Sequence, residues 1–335
     1  MADKTVTVQP SGGTYTTLAA AIAAEYSANP NLTAAGMDGI LNIAIGGTWS
    51  AYEDSNKITV PAFTTDATHY LNIYTTGNAR HAGVLSTGKW MLSGVNGGSV
   101  WCNALYARFD GLQIDYSGGG SATYGFYTGN ASGVLYFSNC LIKGNNVQYS
   151  NVFALQGSNT TYIWNCIGYS SGTTASRSVS TEGGSTYIYS STFIGCDIGL
   201  YSKGTVVAKN CYFGGTATED YFYHSGTLAK TNCASEDQSA DDTQTGETQT
   251  NCVAAAVALD VDTFVNVTGG SEDYHLAADG LSPLQAAGVD TSGEGAPLNF
   301  TTDIDGDAIA NWSVGADDGP GGGAATNVIY MIFES

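Results

Sequence analysis

Short runs of β-branched and aromatic residues, broken by glycine and small polar residues, recur along most of the chain and predict strands rather than helices. Leu41-Asn42-Ile43-Ala44-Ile45 and Tyr70-Leu71-Asn72-Ile73-Tyr74 alternate apolar and polar positions. Tyr136-Phe137-Ser138, Tyr162-Ile163-Trp164 and Tyr187-Ile188-Tyr189 repeat a common design further on. Each of these three is followed by the same kind of dipeptide. Asn-Cys occurs at Asn139-Cys140, Asn165-Cys166, Asn210-Cys211, Asn232-Cys233 and Asn251-Cys252, and Ser190-Ser191 stands where the series would skip a turn. Counted from Asp110-Gly111, the steps are 29, 26, 25, 20, 22 and 19 residues. An internal repeat of this length is one coil of a solenoid.

The chemistry of the dipeptide fits that geometry. Asparagine tolerates the left-handed backbone of a tight corner, and identical amides stacked about 4.8 Å apart can bond along the stack. Cysteine then turns inward as a small apolar filler. The predicted fold is all-β, a parallel β-helix whose structural ladder is formed by these five Asn-Cys pairs.

Other segments read as additions to the solenoid. Residues 1–35 predict a strand, a turn at Ser11-Gly12-Gly13 and an Ala-rich capping helix entered through Thr16-Thr17. Such a helix would plug the bare first coil. Residues 36–255 predict the β-helix, irregular at first and regular from about 108. Lys230 takes a place held by Phe137, Ile163 and Ile188 in earlier coils, so the core pattern fades there. Residues 256–318 predict an acidic C-terminal cap region, and 319–335 a glycine-rich linker carrying a terminal strand arm. That arm, Val328, Ile329, Tyr330, Met331, Ile332 and Phe333, needs a partner: either its own solenoid or the sheet edge of a neighbouring chain.

Composition adds exclusions. Forty-four glycines, 21 tyrosines and 6 prolines in 335 residues suit a chain with many corners. The net charge is −20; all ten Lys and Arg lie at or before Lys230, while residues 231–335 hold eighteen acids and no base. Such a surface repels nucleic acid and anionic membranes. No apolar run approaches the roughly 20 residues needed to span a bilayer. The first residues lack the charged and apolar segments of a signal peptide, which predicts a protein either trimmed of one or made to stay in the cytoplasm until release. Seven cysteines, five at equivalent places, predict buried thiols rather than disulfides or a metal site.

Val6-Thr7-Val8 through Gly13-Thr14-Tyr15-Thr16-Thr17-Leu18 and Ala21-Ile22 resembles the opening segment of right-handed parallel β-helix proteins of the pectin lyase-like superfamily. Asp273-Tyr274-His275-Leu276, Ser282-Pro283-Leu284 and Thr302-Asp303-Ile304-Asp305-Gly306 are similar to a closing segment of its bacterial members. Phe63-Thr64-Thr65-Asp66-Ala67-Thr68-His69-Tyr70, with Thr76-Gly77-Asn78-Ala79-Arg80-His81, resembles β-helix proteins among tailed-phage structural genes. The resemblance implies a right-handed coil but not one activity, because lyases, esterases, adhesins and tailspikes share the fold.

Lyase chemistry would need calcium-binding acids beside an Arg or Lys base. The bases Lys143, Arg177, Lys203, Lys209 and Lys230 and the acids Asp115, Glu182, Asp197, Glu219 and Asp220 share no repeat position. His69, His81, His224 and His275 lie beside no nucleophile motif. Asp303, Asp305 and Asp307 resemble the first half of a calcium loop without its downstream Glu, or else a polar hairpin turn. Tyr116, Tyr124, Tyr127, Tyr149, Tyr169, Tyr201, Tyr221 and Tyr223 suit interfaces, coil packing or sugar stacking. The expected function is a non-catalytic virion structural protein, a capsid decoration or spike element docking to neighbouring capsid or tail proteins as a homo-oligomer, with a trimer implied by related spikes. A polysaccharide-active enzyme or glycan-binding adhesin is the alternative.

Overall fold

The computed structural model describes residues 3–318, except 52, 55–56, 94–98, 117–123, 130–131, 145–148, 172–174, 269–271 and 278–281. The predicted docking arm, Val328 to Phe333, lies outside the described residues. Among the described residues, the period-two runs pair in parallel with their equivalents one coil away, giving sheets of ten, eight and seven strands. One coil is Thr160–Trp164, Ile167–Ser170 and Arg177–Thr181, each strand belonging to a different sheet. The chain is an all-β, right-handed parallel β-helix, a three-sided prism whose neighbouring coils are about 4.8 Å apart.

The corner between the ten-stranded and eight-stranded sheets is a single left-handed residue. Asn139, Asn165, Ser190, Asn210, Asn232 and Asn251 have φ of 50, 51, 42, 53, 49 and 53°. Gly111 holds the place one coil earlier, at 69°. Asp110 pairs with Ser138 rather than Asn139, so the equivalent of the asparagines is Gly111 and the first step is one residue shorter than the count from Asp110. The backbone conformation, which glycine and asparagine share, sets the register.

After each corner the chain turns inward. Cys140, Cys166, Cys211 and Cys233 are fully buried free thiols. Cys211 shows their bonding: Sγ donates to Lys209 O at 3.2 Å and to Ile188 O of the preceding coil at 3.1 Å. The interior also stacks rings, Phe109 on Phe137 at 5.2 Å and Phe126 on Phe153 at 5.4 Å. Each such buried ring contributes about 2–3 kcal/mol through removal from water.

Both ends of the prism are closed by charge-satisfied plugs. The helix Leu18–Ala28 turns Leu18, Ala21, Ile22 and Glu25 into the first coils, and the Thr17 side chain caps its Ala20 N–H. Buried Glu53 accepts from Leu18 N–H at 2.9 Å and from Trp90 Nε1 at 3.0 Å, placing a carboxylate at the positive end of the helix. At the far end Lys230 is buried. Its Nζ donates to Ser239 O at 2.6 Å and Asp242 O at 2.7 Å and lies 3.4 Å from Glu247. The break in the core pattern at Lys230 is thus an anchor for the closing loop.

Residues 257–316 do not sit across the end of the rod. They run back along it, covering the outer face of the eight-stranded sheet with a second core in which Leu141, Ile167, Ile194 and Tyr212 meet Phe264, Tyr274, Leu276, Leu284 and Val314. Lys143 Nζ pairs with Glu272 at 3.0 Å and His275 lies against Gly83, so this segment reaches from the last coils to the early ones. One wall of the prism is therefore clad; among the described residues the other two are largely open, with Glu294 and Pro297 of the returning segment reaching the ten-stranded one.

Candidate functional site

The open ten-stranded face is built by register. Tyr136, Tyr162 and Tyr187 occupy one outward position in successive coils, and their rings stack at 5.3 and 5.0 Å with planes 9 and 13° apart. Arg108, one coil earlier, caps the stack with its guanidinium 4.9 Å from the Tyr136 ring and 4.1 Å from Tyr70. Trp164, two residues along the strand from Tyr162, stands edge-on to Tyr136 at 82°. Because the stacked rings face one another along the rod, the stack presents edges and hydroxyls outward.

Beside this stack a cleft of about 340 Å³ is lined by residues including Tyr74, Arg108, Asp110, Tyr136, Trp164 and Pro297. Asp110 is the one carboxylate among its lining residues. It accepts from Arg80 Nη1 at 2.6 Å, Asn139 Nδ2 at 2.6 Å and Ser138 Oγ at 2.7 Å. Burial works against its charge, but Arg80, Ser138 and Asn139 together outweigh this and hold it below the usual carboxylate range. Hydrolysis by paired carboxylates needs a second acid across the cleft, and the described lining provides none.

The scattered bases are taken up in ion pairs. Arg177 and Lys203 share Glu182 at 2.9 and 3.2 Å, Lys209 pairs with Glu294, and Lys143 with Glu272. Asp220 is buried, and burial raises it to about 7 while Thr216 and two backbone N–H groups hold it in place. His69 bridges Asp66 and Asp38 at 2.8 and 3.2 Å, and exposed His224 lies against the Tyr201 ring. His81 is buried, with Nε2 against Asn139 O at 2.8 Å and Nδ1 accepting from Gly83 N–H at 3.1 Å. The hydroxyls within reach of these rings belong to chain neighbours, Thr68 at 3.1 Å from His69 Nδ1 and Ser225 at 3.4 Å from His224 Nδ1.

The ladder asparagines do two jobs. Asn139 and Asn165 bond amide to amide at 3.3 Å, as stacking predicts. Asn165 also joins Asn210 and Asn232 in reaching the returning segment: Asn165 Nδ2 donates to Thr302 O at 2.6 Å, Asn210 Nδ2 to Val289 O and Asn232 Nδ2 to Ala287 O, both at 2.8 Å. Asn251, at the end of the row, keeps only the corner conformation in common with them.

The three predicted metal acids do not converge. Thr302 and Ala308 form an antiparallel bridge, making 303–307 a hairpin turn closed by Asp303 Oδ1, which accepts from Asp305 and Asp307 N–H at 3.1 and 3.0 Å. Asp305 faces His275 Nε2 at 3.0 Å, and Asp307 is exposed. Burial works against the His275 charge, but Asp273 and Asp305 outweigh it and raise His275 to about 10. Asp303 instead meets Asp317 and Asp318, with carboxylate oxygens all within 4.8 Å of one another. Burial, then Asp317, Asp305 and Asp318, push Asp303 up to about 7. Asp317 and Asp318 carried no motif in the sequence, since their partner lies fourteen residues away across a turn.

No helix among the described residues is long and apolar enough to cross a membrane. Comparison with family models, curated proteins and solved structures finds no match to this chain.

Proposed function

We propose that this protein is a non-catalytic structural element of a tailed-phage particle, a rigid β-helical rod that docks to neighbouring capsid or tail proteins through its open ten-stranded face. The observation that carries the docking part is the stack of Tyr136, Tyr162 and Tyr187 beside a cleft whose one carboxylate, Asp110, is committed to Arg80. Stacked rings cost little conformational entropy to bury, and a row of hydroxyl edges suits a protein partner that supplies backbone acceptors. The phage setting rests on the resemblance of residues 63–81. Quantitative mass spectrometry of density-purified particles tests it: a fixed ratio to the major capsid protein is expected, and absence from intact particles overturns it.

The cleft favours a second reading, a glycan-binding adhesin, because Tyr74 and Trp164 line a space of sugar dimensions. Retention on a polysaccharide column without release of reducing ends would support it, whereas turnover would point to an enzyme.

A further inference from the structure

The corner row and the returning segment enclose a small cavity of about 10 Å³, room for one water-sized occupant. Asp303, Asp317 and Asp318 line it from the returning segment, and Asn165 and Ser190 line it from two successive corners of the coil. Asp303 and Asp317 are buried and Asp318 is half-buried. The described lining contains no Lys or Arg; Asp317 accepts from Leu276 N–H and feels His275 from outside the cavity, but the three carboxylates share a wall with no cation of its own, an arrangement that a bound cation would complete.

A second observation, independent of the acids, points the same way. Asn165 Oδ1 and Ser190 Oγ are buried and have no hydrogen-bond partner among the described residues. The Asn165 amide is oriented by its nitrogen, which donates to Thr302 O and Asn139 Oδ1, leaving the oxygen as the unused end. A buried polar oxygen without a partner costs about 1–3 kcal/mol. Two of them on the wall that faces three carboxylates form an all-oxygen donor set.

We propose that this cavity is a calcium site, with Asp303, Asp317, Asp318, Asn165 and Ser190 as oxygen ligands, and that the ion pins the returning segment to the coil. Oxygen donors without Cys or His select a hard cation over zinc or copper. Calcium takes six to eight oxygens at about 2.3–2.6 Å, so ligand atoms lie up to about 5 Å apart across the ion, and one oxygen from each of the three carboxylates lies within 4.8 Å of the others, inside that limit. Magnesium demands a tighter octahedron and keeps its waters. The site differs from the Asp303, Asp305 and Asp307 loop of the sequence reading in sharing Asp303 alone with it.

Titration of calcium chloride into the chelator-treated full chain, followed by calorimetry, tests this. One calcium per chain is expected, within the range of protein calcium sites that extends to about 1 mM, together with slower proteolysis of residues 284–318. Asp303→Asn keeps the turn acceptor and removes the charge; it should weaken binding by at least about tenfold. Ser190→Gly removes the hydroxyl, suits the left-handed corner and breaks no side-chain hydrogen bond seen in the fold; it should also weaken binding, which keeps the test informative if Asp303→Asn fails to fold. A folded chain that takes up no calcium to about 1 mM overturns the site. So does an affinity unmoved by both substitutions, or magnesium binding as tight as calcium.

Discussion

Asn210 and Val289 exchange two hydrogen bonds of 2.8 Å, the side-chain amide nitrogen donating to Val289 O and the amide oxygen accepting from Val289 N–H. A side chain here does what a neighbouring strand would do, offering one donor and one acceptor to an extended backbone. The same residue keeps the corner of its coil in the left-handed conformation.

Asn210→Gly separates these two roles, because glycine holds the corner without strain and removes both bonds. Two lost hydrogen bonds to partly buried backbone should cost about 1–3 kcal/mol. Hydrogen exchange is expected to speed up around Val289 while the strands Ser185–Tyr189 and Thr205–Lys209 keep their protection. Uniform acceleration along the coils would contradict a local docking role.

His81 should make the fold acid-sensitive. Burial, then Arg80, lowers it to about 4 from an ordinary 6.5, against the smaller opposite pull of Asp305 and Asp110. The folded state therefore binds fewer protons than the unfolded one between these values. The stability is full above pH 6.5 and is lost as pH falls through about 4, by about 3 kcal/mol in all. Urea midpoints measured at neutral pH and near pH 4 should converge in His81→Gln relative to the parent; equal slopes in both proteins would exclude His81 as the source.

The thiols should be silent in the native state. Burial pushes Cys102 and Cys233 up to about 12, and the thiolate is the reactive form. Contact with Cys233, then burial, also raises the Cys252 thiol, but it alone among the seven is partly exposed, so alkylation at neutral pH should modify it first and slowly, and should reach the other six only after denaturation. Rapid modification of Cys140 or Cys211 under native conditions would mean that the coil opens readily.

Lys230→Met keeps the apolar stem and removes the ammonium. Ser239 O and Asp242 O lose their donor and buried Glu247 loses its cation, a change expected to cost about 3–5 kcal/mol. Loss of protection confined to residues 227–250 is the anticipated result, read by hydrogen exchange. Stability equal to the parent's in this variant would show that the loop holds itself.

The coil was legible because each turn imposes the same demand at the same place. Asparagine, serine or glycine is needed where φ is positive, and a small inward residue is needed next, so Asn139-Cys140 and its equivalents announce themselves. The offset at Asp110 arose because aspartate resembles asparagine chemically, while the backbone sorts it with Ser138. The cladding of the eight-stranded sheet left a subtler mark: Leu141-Ile142, Phe193-Ile194 and Tyr212-Phe213 are apolar on both faces, as strands covered on both sides must be. The gathering of Asp303 with Asp317 and Asp318 left no local mark, because it depends on where a turn returns the chain. It was readable only in three dimensions.

A stack of coils is close to one-dimensional: each turn knows only its neighbours, and such a stack frays independently from either end. The returning segment changes that connectivity. By bonding to Lys143, Asn165, Asn210 and Asn232 in turn, it makes non-adjacent coils neighbours of one strand. Opening any one of them then loosens a tie shared with the rest, so the rod should melt as a single cooperative unit rather than shorten coil by coil.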